Sequence, residues 1–264
     1  MWPSADPREE GNGVSLKSLY VTHDGPVVQV RFNTPENGNA ITERVLDDLL
    51  AVLGAVHDRP DIRVVVFSGA GENFCTGGDR REFGDQLDTD PTGAGLRTTG
   101  GKARRVCDAL ATTSAVTIAR LHGQVIGAGL ALALFCDLRV GADDCRFRLP
   151  ELALGLPAAW GGSLPRLLQE AGTARIRELI LTGAGFDAAQ AERLSVLHRV
   201  VPEAELDRVV DEWTRPVVRR SASALRITKA LLNSYASSSR LADASLLDAE
   251  LMASVIAAGR TGNA

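Results

Sequence analysis

Lysine is nearly absent from this sequence: Lys17, Lys102 and Lys229 are the only three in 264 residues, and the other basic groups are arginines. With a formal net charge of −4 the chain lacks the basic face that neutralises phosphates, so no nucleic-acid partner is expected. Cysteine is sparse and its spacing carries no pattern. Cys75, Cys107, Cys136 and Cys145 form no C-x-x-C pair and no His stands at a zinc-site distance, which argues against a metal knuckle or a dithiol centre and favours a reducing compartment. No apolar run approaches the roughly 18 residues of a membrane span, and residues 1–13 carry no apolar segment of the signal-peptide kind, so a cytoplasmic protein is expected. No phosphate loop ending in G-K-[ST] occurs.

What is present is ordinary for a globular chain. Hydrophobic residues make up 45% and charged residues 23%, values that exclude disordered and collagen-like classes. The run 27–32 reads as a strand, and Ile41, Val45, Leu49, Val52 and Val56 then repeat at helical spacing. Residues 64–67, Val-Val-Val-Phe, lack polar alternation, as a strand covered on both faces would. The segment 83–101 is polar and glycine-rich without clear period and is expected to be a mobile surface loop. Further on, strands are expected at 116–121, 138–140 and 196–201, and helices at 130–135 and 188–194, the latter opened by a capping box from Asp187 to Gln190. Strand, loop and helix thus alternate in an α/β pattern. The chain divides into a disordered tail at 1–14, a core at 15–220 and a helical assembly module at 221–264.

Three segments carry candidate chemistry. Gly127-Ala128-Gly129 lies at a strand-to-helix junction, where small residues admit a ligand to the backbone and free N–H groups favour negative charge. The sharp reading is an oxyanion site; the plain one is close helix–strand packing. A dinucleotide fingerprint fits poorly, since Leu132 stands where the third glycine belongs. Phe74-Cys75-Thr76-Gly77-Gly78-Asp79 is a second loop of small residues. In Phe147-Arg148-Leu149-Pro150-Glu151-Leu152 a lone carboxylate sits among apolar neighbours, so Glu151 has either a cationic partner or a raised pKa suited to a general base.

Taken together, these segments resemble the crotonase (enoyl-CoA hydratase/isomerase) superfamily. F-C-T-G-G-D is similar to that family's F-x-A-G-x-D loop, H-G-Q-V-I-G-A-G-L-A-L-A-L-F-C-D to its second loop and buried helix, and F-R-L-P-E-L-A-L-G-L-P follows at the family's distance. Asn33-Thr34-Pro35-Glu36-Asn37-Gly38-Asn39-Ala40 resembles its N-x-P-x-x-x-N-A entry to the first helix. The resemblance implies a ββα spiral with C-terminal helices that build a trimer or hexamer. It implies an acyl-CoA thioester substrate whose oxygen meets the N–H groups of Gly78 and Ala128, beside Gly77 and Gly127. No cofactor is expected beyond the coenzyme A of the substrate.

The departures from the pattern bear on the reaction. Hydratases of this family hold a water between two glutamates, and this chain has Ala131 at the first position and Glu151 at the second. A single glutamate suits isomerisation of an enoyl-CoA, with hydration, thioester hydrolysis, decarboxylation and a degenerate acyl-CoA-binding scaffold as alternatives. Arg81 stands where relatives often carry a CoA-contacting lysine and is expected to hold pyrophosphate, with Arg80 as a helper; the alternative for both is a solvated loop. Trp160 is expected either to wall the acyl pocket or to pack in the core. Asp79, Asp137 and His122 read as structural, and Cys75 as a small filler.

Overall fold

The computed structural model describes residues 13–57, 59–238 and 247–261. Most of the expected N-terminal tail and the stretch 239–246 of the C-terminal module lie outside the described residues; Gly13 and Val14, assigned to the tail, belong to a strand. A seven-stranded sheet runs in the order β1-β2-β3-β4-β5-β7-β10. It contains β1 (Gly13–Ser15), β2 (Leu19–Asp24), β3 (Val27–Phe32), β4 (Val64–Gly69), β5 (Val116–Leu121), β7 (Leu138–Ala142) and β10 (Arg199–Val201). The first three strands pair antiparallel and the rest parallel. A second sheet joins β6 (Gln124–Ile126), β8 (Arg146–Arg148) and β9 (Phe186–Asp187). Helical crossovers are what parallel neighbours require, and α1 (Glu43–His57) supplies the first, burying Val45, Leu46, Leu49, Val52, Leu53 and Val56 on one face.

Residues 83–101 are not a loop. They lie in α2 (Arg80–Thr89) and α3 (Ala94–Thr112), joined by a four-residue turn at 90–93. Asp79 caps α2 by accepting from the N–H groups of Arg81 (2.9 Å) and Glu82 (3.3 Å). The glycines that mask the helical period in α3 have a tertiary reason. A Cβ at Gly100 would lie 2.9 Å from the Cβ of Ala249 on α10 (Asp248–Thr261), and one at Gly93, just before α3, would lie 3.5 Å from Ala253. Close helix packing thus offsets the roughly 1 kcal/mol that a helical glycine costs against alanine.

The strand expected at 196–201 is confined to Arg199–Val201, because Val196 and Leu197 are spent on the turn after α7 (Ala188–Arg193). Asp187 caps α7 through Gln190 N–H at 2.8 Å. α4 (Ala128–Phe135) begins two residues earlier than its apolar run suggests, and all eight of its residues are buried. Further α-helices are α5 (Ser163–Ala171), α6 (Thr173–Thr182), α8 (Leu206–Val218) and α9 (Ala222–Ser238). No described helix is long and apolar enough to cross a membrane.

α9 is joined to the core by polar contacts. Lys229, buried at 7% exposure, donates to the carbonyls of Leu110 (3.2 Å) and Ala115 (2.9 Å) and pairs with Asp137 at 2.7 Å. Asp137 in turn accepts from Thr117 N–H at 2.8 Å. Lys229→Ala strips a carboxylate and two carbonyls of one buried cation, so it is expected to destabilise by about 3 kcal/mol. Urea unfolding at unchanged m-value checks this, and a loss below about 1 kcal/mol contradicts the anchoring role.

Candidate active site

Residues 74–79 form an extended segment stitched to both sides. Cys75 N–H donates to Gln124 O (3.1 Å) and Ile126 N–H to Cys75 O (3.0 Å), while Thr76 N–H donates to Gly38 O (3.0 Å). Ile41 N–H then donates to Gly77 O (2.8 Å) and Asp79 N–H to Ile41 O (2.9 Å). This alternation leaves Gly78 N–H turned away from Ile41, with no acceptor among the described residues. Asn39 fixes the supporting loop: its Nδ2 donates to Ala70 O and Asn73 O, each at 2.8 Å, and its Oδ1 accepts from Thr34 N–H.

The second free donor comes from α4. Gly127 has φ +48°, a conformation that disfavours L side chains, and it turns the chain so that α4 starts at Ala128. Ala128 N–H, in the first turn, has no helical acceptor. The helix dipole adds positive potential there. Gly129 allows the close approach of the two loops, since a Cβ would lie 2.7 Å from Cys75 O.

Glu151 completes the arrangement. A Cβ on Gly127 would lie 3.2 Å from its Oε1, which places the carboxyl group against the head of α4. Its Oε2 is buried without a hydrogen-bond partner, and burial raises its pKa above the ordinary glutamate value. Of the two readings open from sequence, a cationic partner or a raised pKa, the second holds. The cleft between these groups measures about 90 Å³ and is lined by Gly77, Gly78, Gly127, Ala128, Glu151 and Trp160 among others. Six of the seven expected site residues therefore surround one space. Arg81 does not line it; Arg80 does, and Arg81 is exposed at the head of α2. Trp160 lines the cleft and also packs against the core.

Past Glu151 a second, apolar space of about 20 Å³ is lined by Ala131, Leu134 and Leu164. Glu151 is the one carboxylate lining either space. Cys75, fully buried, has its thiol pushed up to about 12 and serves as filler. His122 is held by Gly71 O at 2.9 Å and does not line the cleft. Phe83 and Met252, absent from the sequence reading, also border it. Nothing in their local sequence marks them, because α2 and α10 bring them in from outside the motifs.

A sequence model of the enoyl-CoA hydratase/isomerase family matches residues 22–262. The chain belongs to this family. It is 33% identical over 220 residues to a Mycobacterium tuberculosis protein named probable enoyl-CoA hydratase echA8, covering 83% of this chain and 82% of that one. It is 30% identical over 232 residues to the mevalonyl-coenzyme A hydratase sidH of Aspergillus fumigatus, covering 86% and 80%. Among solved structures, Pseudomonas aeruginosa AtuE superposes with a TM-score of 0.79 at 30% identity over 89% of each chain. A Thermobifida fusca protein described as an enoyl-CoA hydratase and solved in complex with CoA gives 0.74 at 30% identity, covering 94% and 95%.

The raised pKa of Glu151 has a consequence for stability. A carboxyl group more readily protonated when folded than when unfolded contributes stability below its unfolded pKa and loses it as pH rises through the folded one. Glu151→Gln, which stays neutral, is therefore expected to melt at a higher temperature than the parent at pH 7. The gain should vanish below about pH 4, where the parent carboxyl is protonated in both states. Equal melting temperatures at pH 7 would contradict a carboxyl group whose pKa burial raises.

Proposed function

We propose that this chain is an enoyl-CoA isomerase in which Glu151 is the single base. The observation that carries this reading is that one buried carboxylate, whose Oε2 has no hydrogen-bond partner, lines the same apolar space as an alanine, Ala131, where hydration calls for a second carboxylate. The thioester oxygen of a 3-enoyl-CoA accepts from Gly78 and Ala128 N–H. Glu151 takes a proton from C2, the electrons move into a dienolate, and the same carboxyl group returns the proton to C4, giving the 2-enoyl-CoA. Each preorganised donor stabilises the enolate oxygen by about 3 kcal/mol. The burial that raises the Glu151 pKa also brings the base closer in strength to the carbon acid.

Hydratase is the second reading, favoured by the names of the curated relatives. Its requirement is positional. A water held by one carboxylate lacks the second anchor that aims it at C3, and misplacement of a reacting group by 1 Å can cost about 10²-fold. The parent is therefore expected to convert 3-hexenoyl-CoA to 2-hexenoyl-CoA faster than it hydrates crotonyl-CoA. Ala131→Glu should raise crotonyl-CoA hydration by about 10-fold, a modest gain because the surrounding groups are not built to hold it. Hydration by the parent at about 10 per second or faster, as in an ordinary enzyme, replaces this reading with the hydratase one.

Arg80, lining the cleft, is the residue we assign to the CoA phosphates. The protein is read as a trimer or a pair of trimers, because Ile227, Leu231, Leu232 and Tyr235 of α9 and Leu251 and Val255 of α10 are exposed. Light scattering should give a mass of three or six chains at micromolar concentration, and a monomer would refute the assembly.

A further inference from the structure

We infer that the groove between the end of α1 and the start of α9 binds a small organic phosphate, held by Arg63 and Arg226 at the far end of the sheet from the reaction cleft. The groove measures about 350 Å³ and is lined by His57, Ile62, Arg63 and Ser114 together with the first residues of α9. That volume falls at the lower end of the roughly 300–1,000 Å³ typical of small-molecule sites. The two spaces are separated by the length of the parallel strands. Gly77 and Gly78 follow the carboxyl end of β4 and Gly127 and Ala128 that of β5, whereas Arg63 and Ser114 precede the amino ends of the same strands. Six residues of β4 span roughly 16 Å between them.

The groove is cationic in a protein whose net charge is −4. Its described lining holds two arginines and a histidine and no carboxylate. Elsewhere arginines are neutralised, Arg59 by Asp61, Arg120 by Asp207 and Arg199 by Glu212. Arg226 has no hydrogen-bond, ion-pair or ring partner among the described residues. Arg63 Nη1 donates to Arg220 O at 2.6 Å, which fixes the guanidinium beside the start of α9 and leaves its charge without a carboxylate. Its backbone is equally fixed: Arg63 N–H donates to Pro26 O (2.8 Å) and Val116 N–H to Arg63 O (2.9 Å). Two guanidinium forks match the two charges and several acceptor oxygens of a phosphate monoester. Pro60, Ile62 and Leu225 give the groove an apolar wall, so the ligand that fills it carries an apolar body beside the phosphate. Arg226 stands three residues before the core-facing Lys229 on α9, on the side away from the exposed Ile227 and Leu231. Covering that exposed side in an assembly therefore leaves the groove open.

The test is isothermal titration of the full chain with phenyl phosphate, inorganic phosphate and benzoate, using the parent, Arg226→Met, Ser223→Glu and Arg80→Met. The parent is expected to bind phenyl phosphate saturably and at least about 10-fold tighter than either inorganic phosphate, which lacks the apolar body, or benzoate, which lacks the second charge. Arg226→Met keeps the apolar stem and removes the cation, and Ser223→Glu sets an acid at an exposed position of the groove. Each should weaken phenyl phosphate by about 10-fold or more. Arg80→Met, which removes the cation assigned to the CoA phosphates, should leave that affinity unchanged. No saturable binding of phenyl phosphate at millimolar concentration, benzoate or inorganic phosphate binding as tightly, or an undiminished affinity in Arg226→Met would each overturn the inference. Loss of binding in Arg80→Met with none in Arg226→Met would overturn it too, by placing the phosphate in the reaction cleft.

Discussion

A fully buried helix whose first N–H has no acceptor among the described residues is the constraint on which the site depends. All of α4 is buried, so its orphan backbone groups need partners from elsewhere. At the C-terminal end Arg139, 3% exposed, donates to the carbonyls of Leu134 (3.3 Å) and Cys136 (3.0 Å) and is paired with Glu170 at 2.6 Å. Its cation also complements the negative end of the helix dipole. At the other end Ala128 N–H opens into the cleft beside Gly78 N–H. The fold satisfies one terminus with its own arginine and leaves the other open to the cleft.

Glu151 stands in the same economy of unmet bonds. A buried carboxylate oxygen without a donor is destabilising in isolation, yet it is the state a base needs if it is to accept a proton rather than remain tied to a cation. Two arginines of the neighbouring strands are committed elsewhere: Arg148 donates to Gly183 O at 2.9 Å, and Arg139 to the end of α4. Gly127 is indispensable twice over, through its positive φ and because a side chain would press on Glu151. Backbone donors and a carboxyl group with one unbonded oxygen thus meet where the polypeptide has least bulk.

Much of this was legible in the sequence because backbone chemistry leaves a residue signature. Gly77-Gly78 and Gly127-Ala128-Gly129 stand out as small residues at junctions, and Glu151 as a charge within an apolar run. The fold's parallel strands were readable from Val64 to Phe67, and the cap at Asp187 from its side-chain type. What the sequence hid was tertiary. α3 reads as a loop because Gly100 is chosen for contact with α10, more than 140 residues later, against local helix propensity. The resemblance pointed to Arg81 ahead of Arg80, and only the formed helix α2 decides that Arg80 lines the cleft. Arg139 is an unremarkable strand residue until the end of α4 arrives beside it, and Met252 a helical residue until α10 lies over α3.

The central claim is that Glu151 moves protons of a thioester held by two backbone N–H groups. Incubating 3-hexenoyl-CoA with the protein in D₂O and following deuterium at C2 and C4 by mass spectrometry tests it most directly. The account predicts conversion to 2-hexenoyl-CoA by the parent, with deuterium appearing as the Glu151 carboxyl group exchanges with solvent over repeated turnovers, and a rate lower by about 100-fold or more in Glu151→Gln, in keeping with general-base contributions of about 10²–10⁴. Neither conversion nor deuterium at either carbon with the parent, or an undiminished rate in Glu151→Gln, would contradict it.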